Sequence, residues 1–273
     1  MTVPNVTLNN GVEIPQLGFG VFQVKPADTV EAVSAAFKVG YRHIDTAEMY
    51  GNEKEVGQAL QQSGLDRADV FVTSKLNNPF HGFDSALRAF DQTLTDLQLE
   101  KIDLFLIHWP QPKTGDIVQT WKAFERIYAE GRARAIGVSN FHPHHLRRLH
   151  EETEITPAVN QIEAHPYLTQ QELLDFDAEH GIATEAWSPI ARGRVLDDPT
   201  VTSIARDHGK SPAQVVLRWH IQLGSIVFPK SVTPSRIQEN FEIFDFELTP
   251  AEVGLISALN KNERTGPNPD EFN

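Results

Sequence analysis

The sequence contains no cysteine among its 273 residues. This absence excludes a disulfide framework, a thiolate metal site and a cysteine nucleophile. The sequence also lacks any apolar run near the roughly 20 residues that span a bilayer. Its first ten residues, MTVPNVTLNN, include no basic segment followed by an apolar stretch. We therefore expect a cytoplasmic protein with no membrane partner.

Positive charge is scarce. Lys and Arg number 24 against 37 Asp and Glu, for a formal net charge of −13. DNA, RNA and anionic membranes bind basic surfaces that displace their counterions, so we expect no nucleic-acid partner. With 40% hydrophobic and 22% charged residues, the chain is long enough to bury a large core. We predict one domain over residues 1–273, in which 261–273 form a short polar tail.

Apolar strand-like segments alternate with amphipathic helical segments along the chain. The strand candidates are LGFGVF, HIDTA, VFVTSKL, IDLFLIHW, ARAIGVSN, AVNQIEA, ATEAWSP and SIVFPKS. Several of the helical segments between them end at a glycine, namely Gly40, Gly64 and Gly131. Eight such units in about 250 residues are typical of a (β/α)8 barrel, the TIM barrel of α/β proteins. The preceding segment, VTLNNGVEIPQ, predicts a short N-terminal β-hairpin that turns at Asn10-Gly11.

A doubly wound nucleotide-binding fold is the competing interpretation of this alternation. Such a fold carries a glycine-rich fingerprint at its first strand-to-helix turn. Here Gly18 and Gly20 supply half of that fingerprint, and Gln23 stands where the third glycine belongs. The sequence therefore favours the barrel.

Polar residues end the predicted strands one after another. Since the functional face of a barrel lies at the carboxyl ends of its strands, we expect these side chains to share one rim. Each one alone is typical of an ordinary loop residue, but seven strands in succession indicate a site. The residues are Asp45, Lys75, His108, Ser139, Asn140, Gln161, Glu163, Ser188 and Lys230.

Four residues at this rim form a proton-transfer set. The stretch DTAEMYGNE places Asp45 near Tyr50, and an ordinary tyrosine, with a pKa of about 10, is a poor acid at neutral pH. An ammonium about 4 Å away favours tyrosinate by about 4 kcal/mol at an effective dielectric constant near 20, before the cost of desolvation. We therefore expect Lys75 to lower the pKa of Tyr50, Asp45 to hold Lys75, and His108 to orient a carbonyl oxygen.

An acid directed at a carbonyl oxygen requires a donor for the carbonyl carbon. The segment FHPHHLRRLH brings together His142, His144, His145 and His150. The neighbouring arginines and the helical spacing favour a solvated face, so we predict no metal site there. A hydride from a nicotinamide is the remaining natural donor.

The motifs DTAEMYGNE, VTSKL, LIHWP, IGVSNF, NQIEAHP and FPKSV occur in this order, and together they resemble the aldo-keto reductases over nearly the whole chain. The likeness is greatest to the bacterial branch that includes 2,5-diketo-D-gluconate reductases. The resemblance implies a barrel reductase that uses NADPH without a Rossmann domain, and we expect it to be a monomer. Tyr50 matches the family's general acid, Lys75 and Asp45 its supporting pair, and His108 the residue that orients the carbonyl.

The resemblance also implies a set of cofactor contacts. Ser139, Asn140 and Gln161 match groups that hold the nicotinamide carboxamide, and Trp187 matches the aromatic residue on which the ring stacks. The segment FPKSVTPSRIQEN matches the one that holds the adenosine end. The full set is Ser139, Asn140, Gln161, Trp187, Ser188, Lys230, Ser231, Val232, Arg236, Glu239 and Asn240.

The last of these segments also indicates an anion site on physical grounds. Thr233 followed by Pro234 is typical of a helix N-cap and first helical residue, which leaves backbone N–H groups free. Lys230, Ser231 and Arg236 surround this point and could hold a 2′-phosphate. The alternative is a set of ordinary solvated charges in a first helical turn.

Phe22 and Trp109 match the family's substrate-pocket walls, and the alternative is that they belong to the core, as aromatic residues in apolar runs more often do. Many relatives carry tryptophan where this chain has Asn77, so that wall is smaller and more polar here. The short tail after Asn260 also predicts an open pocket that tolerates polar substrates.

We therefore expect NADPH-dependent reduction of aldehydes and ketones, with small dicarbonyls and keto-sugars such as 2,5-diketo-gluconate as substrates. One alternative is a barrel that binds the cofactor as a regulatory protein without turnover. A metal-dependent barrel hydrolase is a second alternative, although it would need several ligands at strand ends.

Overall fold

A barrel of eight parallel strands forms the body of the protein in the computed structural model, which describes residues 2–273. Its strands are β3 (Phe19–Gly20), β4 (His43–Asp45), β5 (Phe71–Leu76), β6 (Ile102–Ile107), β7 (Ala133–Ser139), β8 (Val159–Glu163), β9 (Ala183–Trp187) and β10 (Ile226–Val227). They pair in sequence order. A parallel bridge between Leu17 and Val227 closes the ring. The (β/α)8 prediction is confirmed.

Strands β1 (Asn5–Thr7) and β2 (Glu13–Pro15) form the predicted antiparallel hairpin ahead of the barrel. The side chain of Asn10 donates to the carbonyl of Arg134, at the start of β7. Asn9 likewise donates to the carbonyl of Pro157, just before β8. The hairpin therefore lies at the amino-terminal ends of the strands, opposite the polar rim.

Ten α-helices surround the strands within the described residues. They are α1 (Pro26–Val39), α2 (Glu53–Gln62), α3 (Phe83–Leu97), α4 (Ile117–Ala129), α5 (Pro143–Glu152), α6 (Gln171–Glu179), α7 (Pro199–His208), α8 (Pro212–Gln222), α9 (Pro234–Phe241) and α10 (Pro250–Ser257). Gly40, Gly64 and Gly131 follow α1, α2 and α4 with positive φ angles of 124°, 69° and 70°. This is the C-terminal glycine that the sequence predicted.

The central strands are buried on both faces. Every residue of β5 and β6 is buried. Leu104 and Leu106 pack with Ile14 of the hairpin inside the barrel, whereas Phe105 and Ile107 belong to the core between strands and helices. A strand without a polar face needs neighbours on both sides, which is why the run IDLFLI lies within a barrel wall.

Gly18 and Gly20, which supply half of a nucleotide-binding fingerprint, are explained by packing. A Cβ at Gly20 would lie 2.7 Å from the carbonyl oxygen of Phe228, and one at Gly18 would lie 2.7 Å from His43 Nδ1. Gly20 thus allows the first and last strands to approach where the barrel closes, and Gly18 leaves room for the His43 side chain of β4. Within residues 2–273, no helix combines the length and apolar character needed to cross a membrane.

Candidate active site

Lys75 lies at the centre of the predicted catalytic set. Its ammonium donates to both carboxylate oxygens of Asp45, at 2.8 and 2.9 Å, and to the carbonyl of Thr46 at 2.8 Å. It also lies 3.3 Å from the hydroxyl of Tyr50. The Lys75 side chain is 0% exposed and that of Asp45 is 2% exposed. Strands β4 and β5 thus bring together a buried ion pair whose cation faces a phenol.

The pKa of Tyr50 differs from the sequence-based expectation. Burial raises this pKa above its usual value, and the charge of Lys75 opposes that effect without overcoming it. The predicted net lowering is therefore wrong for this structure, because a sequence does not show how much water the phenol loses. The phenol is protonated at neutral pH, which is the form that a proton donor requires.

His108 lies directly after β6, with its ring 5.8 Å from that of Tyr50. Burial lowers the pKa of His108 well below its usual value, and the charge of Lys75 lowers it further. The imidazole is therefore neutral. Its Nδ1 is buried and has no hydrogen-bond partner within residues 2–273. A neutral ring keeps one N–H to donate, which is what a carbonyl oxygen needs from a group that orients it.

Glu185 is a member of this site that the sequence reasoning missed. The amide nitrogen of Gln161 donates to Asp45 at 2.8 Å and to Glu185 at 2.7 Å. Burial, with a contribution from Asp45, raises the pKa of Glu185 to about 8. The signal available in the sequence was its position within ATEAWSP. Alternate residues of a strand lie on the same face, so Glu185 is expected on the face of Trp187, two residues later.

The other predicted nicotinamide contacts lie together at the ends of β7 and β9. Asn140 donates to Ser139 Oγ at 3.0 Å and accepts from the indole nitrogen of Trp187 at 2.8 Å. Asn140 and Ser188 have positive φ angles of 64° and 50°. Residues in this region are uncommon outside glycine, and they concentrate at ligand sites.

The predicted adenosine segment lies at the start of α9. Thr233 is the N-cap and Pro234 the first helical residue, but the Thr233 side chain makes no capping bond. Instead, Ser231 Oγ accepts from the Thr233 N–H at 3.0 Å. Lys230 and Arg236 are exposed, and neither forms an ion pair with any residue between 2 and 273.

Three further residues complete this segment. Val232 is 52% exposed, and Asn240 is half-buried. The carboxylate of Glu239 accepts a hydrogen bond from Ser211, at the start of α8. Glu239 therefore has a partner within the protein that the sequence did not indicate.

The predicted pocket walls flank the catalytic set. The ring of Phe22 is 46% exposed and lies 5.0 Å from that of Tyr50. Trp109 is buried and its ring lies 6.4 Å from that of His108. Asn77 is half-buried, and its side chain accepts from the N–H of Asn78 at 2.8 Å. Within residues 2–273, no hydrogen bond joins the Asn77 side chain to the catalytic four.

The C-terminal tail is closer to the pocket than its length suggested. Glu163, at the end of β8, accepts from the backbone N–H groups of Thr265 and Gly266. The ring of Phe272 packs on Trp109, with centroids 4.6 Å apart. The expectation of an open pocket is wrong at Trp109, because a tail anchored at Glu163 reaches that residue within a few positions.

The four histidines of the segment FHPHHLRRLH lie in two separate places in the structure. His150 lies near His180, with ring centroids 6.3 Å apart, whereas His142, His144 and His145 surround Asp270 of the tail. The expectation of a solvated face fits His144, which is exposed, but not His145, which is 6% exposed. Burial lowers the pKa of His145 to about 4.

Comparison with known proteins agrees with this architecture. The model of the aldo/keto reductase family matches residues 16–261, and the chain belongs to that family. It is 54% identical over 270 residues to an aldo-keto reductase of Mycolicibacterium smegmatis, covering 99% of this chain and 98% of that one. It is 51% identical to the glyoxal reductase of Bacillus subtilis, covering 98% and 96% of the two chains.

A solved structure shows the same likeness in three dimensions. A mutant of Gox0644, crystallised in complex with NADPH, superposes with a TM-score of 0.96 at 42% identity, over 100% of both chains.

Proposed function

We propose that this protein is an NADPH-dependent reductase of small aldehydes and ketones, with dicarbonyls as its first substrates. The observation that carries the proposal is the buried Lys75, paired with Asp45 and 3.3 Å from the phenol of Tyr50. The glyoxal reductase of Bacillus subtilis supports the substrate class. The complex of Gox0644 with NADPH supports the cofactor.

The residues present fit this cofactor. Lys230 and Arg236 offer exposed cations beside the start of α9, a combination suited to a phosphate. Ser231, Val232, Glu239 and Asn240 would complete the adenosine end. When bound, NADPH supplies the hydride that the carbonyl carbon accepts.

The nicotinamide end would lie at the rim. We assign its carboxamide to Ser139, Asn140 and Gln161, and its ring to Trp187 and Ser188. The amide nitrogen of Gln161 is held by Asp45 and Glu185. Its amide oxygen therefore points the other way, with no partner within residues 2–273, and is the acceptor we assign to the carboxamide.

The catalytic residues act on the carbonyl oxygen. His108, neutral at pH 7, donates an N–H to this oxygen and orients it. Tyr50 gives the oxygen its phenol proton as the carbon is reduced. Lys75 stabilises the phenolate left behind, and Asp45 keeps Lys75 charged and in place. Oxidation of the alcohol would use Tyr50 as the base.

The pocket walls favour compact substrates. Phe22 and Trp109 supply apolar surface, Phe272 narrows the space at Trp109, and Asn77 adds a polar group at the edge. These features support small dicarbonyls. Keto-sugars such as 2,5-diketo-gluconate are the second group that we propose, on the branch resemblance of the sequence.

Incubation of the purified protein with NADPH and glyoxal, methylglyoxal or 2,5-diketo-gluconate tests the proposal. We expect loss of NADPH absorbance with stoichiometric alcohol formation. A regulatory barrel would quench tryptophan fluorescence on binding NADPH but consume none across a wider carbonyl panel. That result would refute the reductase. A monomeric state, a single domain over 1–273 and a cytoplasmic location stay predictions, of which size-exclusion chromatography with light scattering checks the first.

A further inference from the structure

Four side chains converge at a point away from the catalytic set. They are His142, His144, His145 and Asp270, which we call the histidine–aspartate cluster. His142 Nδ1 lies 3.0 Å from one oxygen of Asp270, and His144 Nε2 lies 3.2 Å from the other. His142 and Asp270 are 128 residues apart in the sequence. The fold alone brings them together.

Contrary to the sequence-based prediction of no metal site in this segment, we propose that this cluster is a divalent transition-metal site, with zinc as the reference ion, in which His142, His144 and Asp270 are the ligands. The ligand atoms of these three residues all lie within 4.8 Å of one another. A tetrahedral zinc with bonds of about 2.0–2.1 Å holds its ligand atoms about 3.3 Å apart. The two distances to Asp270 are close to that value, but they reach different oxygens of the carboxylate, so Asp270 must turn for one of its oxygens to share an ion with both histidines. Two imidazoles and one carboxylate form a common zinc ligand set, and the fourth position is left for water.

His145 places a donor near the supporting contact that such a site requires, although it lies beyond hydrogen-bond distance of Asp270 in this structure. Its Nδ1 accepts from the backbone N–H of His142 at 3.1 Å, so its proton lies on Nε2. That nitrogen is buried without a hydrogen-bond partner in the described part of the chain, and it lies 3.7 Å from Asp270 Oδ1. An N–H directed at a ligating carboxylate is the usual outer contact of a metal site, where it orients the ligand.

One contact must change when the metal binds. Arg264 donates to His142 Nε2 at 3.2 Å, which places the proton of the ring on Nδ1. Coordination through Nδ1 moves that proton to Nε2, so Arg264 must turn away. Its other neighbours are Gln170 Oε1 at 3.3 Å and Glu163 at 4.0 Å, and both accept hydrogen bonds. The His142 ring thus keeps its proton. The guanidinium of Arg264 keeps Gln170 and Glu163 as acceptors, so its charge is not left unpaired.

The metal would fix the C-terminal tail. Asp270 lies between the anchor of Thr265 on Glu163 and the packing of Phe272 on Trp109. A bond from Asp270 to an ion held by α5 would restrain the tail between these two contacts. Metal binding would thus restrain the same residues that narrow the substrate pocket.

Zinc titration of chelator-treated protein, in competition with a chromogenic zinc indicator, tests the site. We expect one zinc per chain, with affinity weakened roughly tenfold or more in each of two variants, His144→Ala and Asp270→Asn. His144 is exposed, so the first variant leaves the fold intact. His150→Ala, on the same helix but outside the cluster, is the matched control and should bind zinc as the wild type does.

The proposal is overturned if zinc does not bind stoichiometrically, or if neither variant weakens it, or if the His150→Ala control loses it. Tail closure has its own measurement. Zinc should slow tryptic cleavage after Arg264 in the wild type and leave the rate unchanged in His144→Ala. Equal protection of both proteins would refute the closure of the tail by this ion. Neither measurement depends on reductase activity.

Discussion

Replacement of Lys75 by methionine removes the only cation that contacts both Asp45 and the phenol of Tyr50 among residues 2–273. Methionine fills a similar volume, so the change is mainly electrostatic. Two separate losses follow. The phenolate of Tyr50 loses its stabilising charge, and Asp45 is left buried with its carboxylate unpaired by a cation.

The structure provides magnitudes for both losses. At the 3.3 Å separation of Nζ and the phenol oxygen, opposite unit charges interact by about 5 kcal/mol at an effective dielectric constant of about 20. Solvent and the neutral His108 would replace part of this lost stabilisation of the phenolate. We therefore expect kcat to fall by about 10²- to 10⁴-fold. Breaking a buried ion pair by removing one partner costs about 3–5 kcal/mol of unfolding free energy.

Steady-state kinetics with glyoxal measure the effect on kcat. Urea unfolding of the same preparation measures the effect on stability. The double variant Asp45→Asn, Lys75→Met separates them. Replacing both members of a buried pair by neutral groups is close to neutral for stability, so we expect the double variant to regain stability but not kcat. Wild-type kcat in Lys75→Met would refute the role of the ammonium. Recovery of kcat together with stability would show that the single variant fails through unfolding.

Three further predictions concern other parts of the site. Tyr50→Phe should abolish nearly all turnover while NADPH still quenches tryptophan fluorescence, and retained turnover would place the acid elsewhere. Arg236→Ala should weaken NADPH far more than NADH in fluorescence titrations, and equal weakening would contradict the 2′-phosphate assignment. Glu185, whose pKa rises from 4.5 to about 8 on folding, contributes stability that is full below pH 4.5 and is lost as the pH rises through about 8. In urea unfolding, the free energy of unfolding of Glu185→Gln should therefore rise relative to that of the wild type across this window, by at most about 1.4 kcal/mol per pH unit, and the difference should be constant above it. A difference that does not change across the window would show that folding leaves the pKa of Glu185 unshifted.

Periodicity in the sequence was enough to predict the barrel and the rim. Buried parallel strands are mainly apolar, so a charged residue such as Lys75 near a strand end stands out against its own segment. Parallel strands also present their carboxyl ends on one face. The convergence of Asp45, Lys75 and His108 therefore follows from their positions along separate strands.

Other features of the site depended on distances that no local pattern encodes. The pKa of Tyr50 reflects the balance between burial and one ammonium, and that balance changes with a fraction of an ångström. Gln161 binds Glu185 because β8 and β9 are neighbours in register, Gln161 opposite Glu185. The sequence showed both residues but not their pairing.

The sequence by itself determined the fold class, the polar residue types of the rim and the net negative charge, because strand and helix periods, strand-end chemistry and net charge are properties of the chain. Only the tertiary structure decided the direction of the Tyr50 pKa shift, the partner of Gln161 and the path of the tail. That direction depends on the solvent that the whole fold excludes. The tail reaches Trp109 and the histidines of α5 because Glu163 holds it at Thr265, a contact between residues 102 positions apart.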